Sequence, residues 1–438
     1  MIAEAFRYLR SHADSLLSIA IRVAGVGLGF IITLLIGRYW GPEAIGQYGV
    51  ITQTGIFLSL LCSGGLDLST IRSFSEARAH EKKPALLSVV RLFLLTGAML
   101  LVISVSIYIF RDLITSKLLD NSAVPYAIVL LILITTSRSL TRLSSSFIRS
   151  QSLFIFSNVV EILIIPVIVV ILLAAQIAGS LYETLSATAA AGIFAATVGT
   201  VACLALSAKG SGSFEVALRP LIKRAVPLWG VTVSKNFSDW YSLAIVVGVL
   251  SLYDAGIFRI AMQIASALPI ITVAIFGVFS TKFGIAHAKS DYPEIARLAR
   301  SATRLSVLLV VPPGLLGIIM APNLLSLVGP EFKDSVALLQ VFLLGQVIYV
   351  CTGPCGLVLA MTGNERTNLF LTVCSLAALL FSLPIAARVY GVMGVVVVMS
   401  SILVARNLLS LVAVRKLTGI HILSGKFSES EKRQRPAA

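Results

Sequence analysis

The sequence predicts an all-α membrane protein with about twelve transmembrane helices in two six-helix lobes. Apolar runs of about twenty residues recur along the chain, and each is long enough to cross the hydrocarbon core as a helix. Hydrophobic residues make up 57% of the 438 residues, and charged residues only 13%. This composition is typical of a chain that lies almost entirely in the bilayer and excludes an ordinary soluble domain.

The predicted spans follow one another with short gaps. They cover residues 15–37, 44–66, 86–109, 123–147, 154–175, 184–207, 225–250, 257–280, 305–328, 335–361, 369–388 and 393–414. Lys and Arg concentrate in every second gap and near both ends of the chain. Because positively charged loops stay in the cytoplasm, both termini are predicted to be cytoplasmic. An even number of spans requires the same arrangement.

A Gly/Ser-rich, polar gap in the middle of the chain predicts a linker between two lobes. The predicted divisions are an N-terminal lobe 1–207, a cytoplasmic linker 208–224, a C-terminal lobe 225–414 and a basic cytoplasmic tail 415–438. The halves resemble each other weakly, since Gly46-Gln-Tyr48 and Gly256-Ile-Phe258 each open a span and lie 210 residues apart. Two lobes related by an axis along the membrane normal leave a cleft between them, which suits alternating access.

Several function classes are excluded by what the sequence lacks. The net charge of +15 follows from Lys and Arg in cytoplasmic loops, and no polar, aromatic-bearing basic patch indicates nucleic-acid binding. No His/Cys cluster has metal-ligand spacing, and no GxxxxGK[ST] loop indicates ATP hydrolysis. We therefore predict neither a metal nor a cofactor. The predicted outer loops are short and carry no catalytic constellation, so an enzyme is not expected.

Ionisable residues inside the spans carry the strongest indication of function. Each costs at least a few kcal/mol at bilayer depth unless it faces a partner or a polar cavity. Cations outnumber anions, and the planar guanidinium group matches phosphate oxygens, so the pattern predicts an anion-binding cavity. The predicted substrate-binding residues are Arg22, Lys235, Arg259, Arg138 and Arg142. The predicted coupling or charge-pair residues are Asp67, Glu161 and Asp239. Asp67 could instead cap its helix or pair with Arg72.

Spacing within a helix leaves alternatives open for four of these residues. Lys235 and Asp239 are four residues apart and could neutralise each other on one helix face. Arg138 and Arg142 have the same spacing, but like charges repel, so mutual neutralisation fails for them. Their long side chains could instead extend to the membrane interface.

Two stretches resemble the polysaccharide-biosynthesis branch of the multidrug/oligosaccharidyl-lipid/polysaccharide (MOP) exporter superfamily, the Wzx-type flippases. The first is Gly37-Arg-Tyr-Trp-Gly-Pro-Glu-Ala-Ile-Gly-Gln-Tyr48, and the second runs from Leu324 through Gly329-Pro-Glu-Phe332 to Arg366. The resemblance implies a V-shaped, MATE-like bundle in the bacterial cytoplasmic (inner) membrane. It also implies translocation of an undecaprenyl-diphosphate-linked oligosaccharide for O-antigen, capsule or exopolysaccharide biosynthesis.

Related flippases carry cations on the first, second, seventh and eighth helices, and Arg22, Lys235 and Arg259 fall on three of these. The second span offers Asp67 instead of a cation. Because long soluble loops are lacking, a polysaccharide polymerase or glycosyltransferase partner would meet the chain within the membrane. The alternative function is a MATE-like cation/drug antiporter, for which Glu161 and Asp239 would supply carboxylates. A membrane enzyme such as a polymerase is the second alternative.

Overall fold

The computed structural model describes residues 2–79, 84–118, 126–208 and 218–428, and these are almost entirely helical. They form two compact units, Met1–Gly256 and Ile257–Ala438. The helices up to the start of the second unit are α1 (Ile2–Ser63), α2 (Leu66–Ala79), α3 (Leu86–Ile109), α4 (Arg111–Leu118), α5 (Ala127–Ser150), α6 (Phe154–Asn158), a π-helix (Val159–Leu163), α7 (Ile164–Ala174), α8 (Leu181–Ala208), α9 (Leu218–Val249) and α10 (Leu252–Ala265). The rest are α11 (Ala267–Ala288), α12 (Tyr292–Ser326), a 3₁₀ turn (Pro330–Asp334), α13 (Ser335–Cys351), α14 (Cys355–Met361) and α15 (Glu365–Thr418).

Two long helices each contain a kink at a glycine. In α1 the kink is at Gly41 (φ 78°), directly before Pro42, and in α15 it is at Gly391 (φ 62°). A residue before proline avoids the α region, and only glycine adopts a positive φ without strain. The apolar part of α1, Ala20–Ser63, has 44 residues. At about 66 Å it is twice as long as the hydrocarbon core is thick, so each kink separates two predicted spans.

Within the described residues, nine of the helices, kinked ones included, are long and apolar enough to cross a membrane. The predicted helical membrane fold is confirmed. The count of about twelve spans and the cytoplasmic termini stay predictions. Helix α9, the seventh predicted span, is not one of the nine, because polar residues such as Ser234, Asn236 and Asp239 interrupt its sequence.

Helices α5 and α8 approach each other closely in the first unit. Gly192 and Gly199 on α8 lie against Ser137 and Ser144 on α5, and both pairs are seven residues apart. A Cβ at Gly199 would overlap the Ser144 Oγ and lie 2.9 Å from its Cβ. Small residues repeated along a face allow the two backbones to come together, as in other membrane helix pairs.

We expect Gly199→Val to destabilise this packing by about 2 kcal/mol, because overfilling a packed contact displaces its neighbours. Gly97→Val on α3 is the matched control, since a Cβ there meets nothing within 4 Å. Thermal unfolding in detergent micelles measures both variants. Equal melting temperatures for the two valine variants would contradict the close approach.

The two glycines of the predicted internal repeat lie at a helix crossing. A Cβ at Gly46 would overlap the carbonyl oxygen of Leu252, and a Cβ at Gly256 would overlap that of Pro42. Leu252 and Gly256 stand 210 positions after Pro42 and Gly46, so the contact is reciprocal and locally two-fold. The six-helix lobes themselves stay a prediction.

Helix α9 packs within the first unit, although the predicted linker precedes it. The indole Nε1 of Trp229 donates a hydrogen bond to the Leu60 carbonyl at 3.0 Å. A Cβ at Gly65 would overlap the carbonyl oxygen of Ala225. The compact units therefore divide after Gly256, later than the predicted linker 208–224, of which residues 209–217 lie outside the described residues.

In the second unit, the chain after α15 folds back as a hairpin. Strands β1 (Ile420–His421) and β2 (Lys426–Phe427) are antiparallel. Ile420 and Ile422 are buried in a cluster with residues of α11, α12 and α14, and the Phe427 ring stacks on Tyr292 at 5.6 Å between centroids. The first part of the predicted tail 415–438 is thus folded, and residues 429–438 lie outside the described residues.

Candidate functional site

Three arginines lie along one face of α5. Arg138, Arg142 and Arg149 are spaced by four and seven residues, which places them one above another over about 16 Å of helix. The same helix carries many buried hydroxyl groups. Several of these donate to carbonyls of the preceding turn, as Thr141 Oγ1 does to Ser137 at 2.7 Å. The helix is therefore polar inside the unit while its backbone ladder stays intact.

Arg142 forms an ion pair with Asp67. The helix break at Gly64-Gly65 starts α2 at Leu66, so Asp67 lies in the first turn, where the helix dipole favours a negative charge. Arg142 Nη2 donates to Asp67 Oδ2 at 2.9 Å, and the Asp67 side chain is only 7% exposed. The predicted alternative that Asp67 pairs with Arg72 is wrong, because Arg72 bonds Glu76 on the surface of α2 at 3.0 Å.

Arg149 forms a second ion pair, with Glu161. Its Nη2 donates to Glu161 Oε2 at 2.8 Å, and the Ser145 hydroxyl donates to the same oxygen at 2.6 Å. Glu161 lies in the π-helix, a local widening that often occurs at functional sites. This pair was not predicted, because Arg149 follows the predicted span 123–147, whereas in the structure it lies in the last turn of α5.

Arg138 has no such carboxylate. It lies at the middle of α5, about 17 Å along the helix from either end, which is too far for its side chain to reach the interface along this helix. Among the described residues, none forms a hydrogen bond or ion pair with its guanidinium group, and the residue as a whole is half-buried. Glu161, Arg142 and Tyr48 lie within electrostatic range. The Tyr48 hydroxyl also hydrogen bonds Thr188 on α8 at 3.2 Å.

The other predicted site residues lie on three different helices. Arg22 is exposed on α1, and Asp239 is exposed on α9. Lys235 is on α9, but its side chain lies outside the described part of the structure. Arg259 is half-buried on α10 and belongs to the second unit. Their roles in binding or coupling stay predictions.

One known protein family matches the sequence of this chain. A family model described as "Polysaccharide biosynthesis protein" matches residues 12–280, more than half of the sequence. The chain belongs to the polysaccharide biosynthesis protein family. The match includes α5, both ion pairs and all of α9. The predicted resemblance to the polysaccharide branch of the MOP exporter superfamily is confirmed. Comparison with curated proteins finds no significant sequence relative.

Solved structures of this superfamily share the fold. The lipid II flippase MurJ, in an inward closed conformation, aligns with a TM-score of 0.73 and 15% identity over 92% of this chain and 87% of that one. An inward-facing multidrug resistance MATE family transporter aligns with a TM-score of 0.73 and 12% identity over 94% and 99%. The MATE multidrug transporter DinF-BH gives a TM-score of 0.61 and 16% identity over 94% and 96%.

At these identities the similarity shows the fold alone. Together with the family match and the apolar helices of the described residues, it makes the protein a multi-pass membrane protein of the polysaccharide biosynthesis family.

Proposed function

We propose that the protein is a flippase that moves an undecaprenyl-diphosphate-linked oligosaccharide across the bacterial inner membrane by alternating access. The translocated lipid-linked oligosaccharide would be used to build O-antigen, capsule or exopolysaccharide. Membership of the polysaccharide biosynthesis family supports this proposal, as does the fold shared with a lipid II flippase. A diphosphate with about two negative charges and a hydrophilic glycan cannot cross hydrocarbon unaided. The protein must therefore supply a polar, cationic path.

The position of Arg138 is the main structural support for this proposal. An arginine in the middle of a membrane helix, with no partner among the described residues, is costly unless an anion or water compensates its charge. A phosphate oxygen is well suited to this role, because guanidinium–phosphate hydrogen bonds are charge-assisted and directional. We therefore assign Arg138 to the diphosphate.

Arg142 and Arg149 have a different role from Arg138 in the proposed site. Each is held by a carboxylate, Asp67 or Glu161, so α5 and its partners carry one excess positive charge instead of three. A diphosphate requires more positive charge than Arg138 alone supplies. Arg22, Lys235 and Arg259 are the proposed sources of the remainder.

The antiporter remains the second candidate, because MATE multidrug transporters share the fold. An antiporter needs carboxylates that are available to a cationic drug or to a coupling ion. Of the two carboxylates predicted for it, Glu161 is neutralised by Arg149, which leaves Asp239 as the remaining candidate. Asp67 is neutralised by Arg142. This arrangement favours an anionic substrate for the site.

Proteoliposomes with a fluorescent undecaprenyl-diphosphate oligosaccharide test the proposal. We expect Arg138→Gln to lower the rate of head-group movement at subsaturating substrate at least about tenfold, through a higher KM, because one charge-assisted bond to phosphate contributes about 1.5–3 kcal/mol. Arg138→Lys should keep part of the rate, since it retains the charge but loses the planar geometry. Arg72→Gln, which removes an exposed arginine of the same unit, should have no effect.

Two other outcomes would change the assignment. Normal transport by Arg138→Gln would leave the flippase and remove Arg138 from its site. Absence of lipid movement in the unmodified protein, together with proton-linked efflux of an organic cation, would establish the antiporter instead.

A further inference from the structure

Four aromatic rings of the first unit form a contiguous group that the charge-based site does not use. Phe57 on α1 stacks on Trp240 of α9 at 4.7 Å between centroids, with the rings 10° from parallel. Phe237 stacks on Tyr241 at 5.3 Å and lies 5.8 Å from both Phe57 and Trp240. We call these four residues the aromatic platform.

The platform is held in a fixed orientation. The Trp240 indole Nε1 donates a hydrogen bond to Thr54 Oγ1 on α1 at 3.1 Å, which fixes the ring. Phe57 is buried and forms the base, whereas Phe237, Trp240 and Tyr241 are only partly buried. The platform therefore offers rigid ring surface that the described residues cover only in part.

The surroundings of these rings are polar. Between Thr232 and Ser242, α9 also carries Ser234, Asn236, Ser238 and Asp239, and none of these four is fully buried. Hydroxyl, amide and carboxylate groups at membrane depth face water or a polar ligand and not lipid tails. Asn236 donates to the Thr232 carbonyl at 2.8 Å, and a lipid chain or an apolar partner helix would still remove water from the other polar atoms of this segment. The occupant of this surface must therefore be polar and still able to pack on rings.

A sugar ring has both properties. One face of a pyranose carries C–H groups, which pack on an aromatic ring, and its edge carries hydroxyls, which exchange hydrogen bonds with polar side chains. Trp and Tyr suit such a surface because each combines a large apolar ring with a polar end. Ligand sites commonly join aromatic walls with a few polar groups that fix orientation.

We propose that the aromatic platform binds sugar rings of the oligosaccharide head group, next to the polar side chains of α9. This inference rests on the proposed flippase function and adds a glycan subsite to it. The cations contact the diphosphate, which every such substrate shares, whereas the platform contacts the part that differs between polymers. It is therefore a determinant of glycan specificity.

The test compares Tyr241→Leu with Tyr241→Phe in proteoliposomes. Transport of the fluorescent undecaprenyl-diphosphate oligosaccharide gives its KM, and competition by undecaprenyl diphosphate without sugars gives an inhibition constant. We expect Tyr241→Leu to raise KM about tenfold, since an aromatic contact is worth up to about 1.5 kcal/mol. The inhibition constant of the sugar-free lipid should not change. Tyr241→Phe keeps the ring and should stay near the unmodified protein.

Matched variants separate a binding role from a structural one. Tyr182→Leu removes a ring from another aromatic pair of the unit, Tyr126–Tyr182 at 6.4 Å, and should change neither constant. Arg138→Gln should weaken both ligands alike. If Tyr241→Leu and Phe237→Leu shift the KM and the inhibition constant equally, or shift neither constant, the proposed glycan subsite is wrong. The proposed flippase function would still hold. If the unmodified protein neither binds nor moves either lipid, the flippase itself is wrong, and the subsite with it.

Discussion

Asp67→Ala is expected to lower the free energy of unfolding by about 3 kcal/mol, because it leaves the Arg142 charge without its partner inside the unit. The carboxylate accepts a 2.9 Å bond from Arg142 Nη2, and only 26% of the arginine side chain is exposed. The Arg142 Nε is buried without any partner among the described residues, so the guanidinium group cannot turn fully to water. Thermal or chemical unfolding in detergent measures the loss.

A double variant distinguishes a buried charge from lost packing. Asp67→Ala with Arg142→Leu removes both charges and should recover most of the stability, because breaking a buried pair costs more than replacing it with apolar side chains. Glu76→Ala is the matched control at an exposed pair and should cost less than about 0.5 kcal/mol. If the double variant is no more stable than Asp67→Ala, the pair is not what stabilises this site.

The fold could be predicted from the sequence because a chain inside lipid can adopt few backbone structures. Backbone groups in lipid must be paired within a helix, so run length alone identifies most spans. The Gly41-Pro42 kink lies between the first two predicted spans, in a stretch that the family resemblance selected. The predicted span 225–250 coincides with most of α9, although α9 is not among the described helices that length and apolar composition mark as spans.

The pairing of charges could not be predicted in the same way. The rule of four-residue spacing applies within one helix, and it correctly describes Arg72 and Glu76. Asp67 and Arg142 lie 75 residues apart on different helices, and Arg149 contacts Glu161 across the turn between α5 and α6. Neither pair leaves a spacing signal. The sequence therefore identifies which charges need partners, whereas the fold decides that Arg138 lacks one among the described residues.

Glu161→Gln is expected to tighten substrate binding and slow turnover. Glu161 lies within electrostatic range of Arg138, so removing its charge raises the positive potential around the proposed diphosphate site. At an effective dielectric constant near 20, one nearby charge contributes on the order of 1–2 kcal/mol, which corresponds to a KM lower by about tenfold. Interactions that stabilise the bound ground state do not speed its passage, so the maximal rate should fall.

Charge balance provides the control for this prediction. Glu161→Gln combined with Arg149→Gln keeps the net charge of the site and should return KM towards the unmodified value. Glu183→Gln removes an exposed carboxylate in the first turn of α8 and should leave transport unchanged. An unchanged or higher KM in Glu161→Gln would show that this carboxylate does not tune the potential at Arg138. Its ion pair with Arg149 would then only connect α5 to the π-helix.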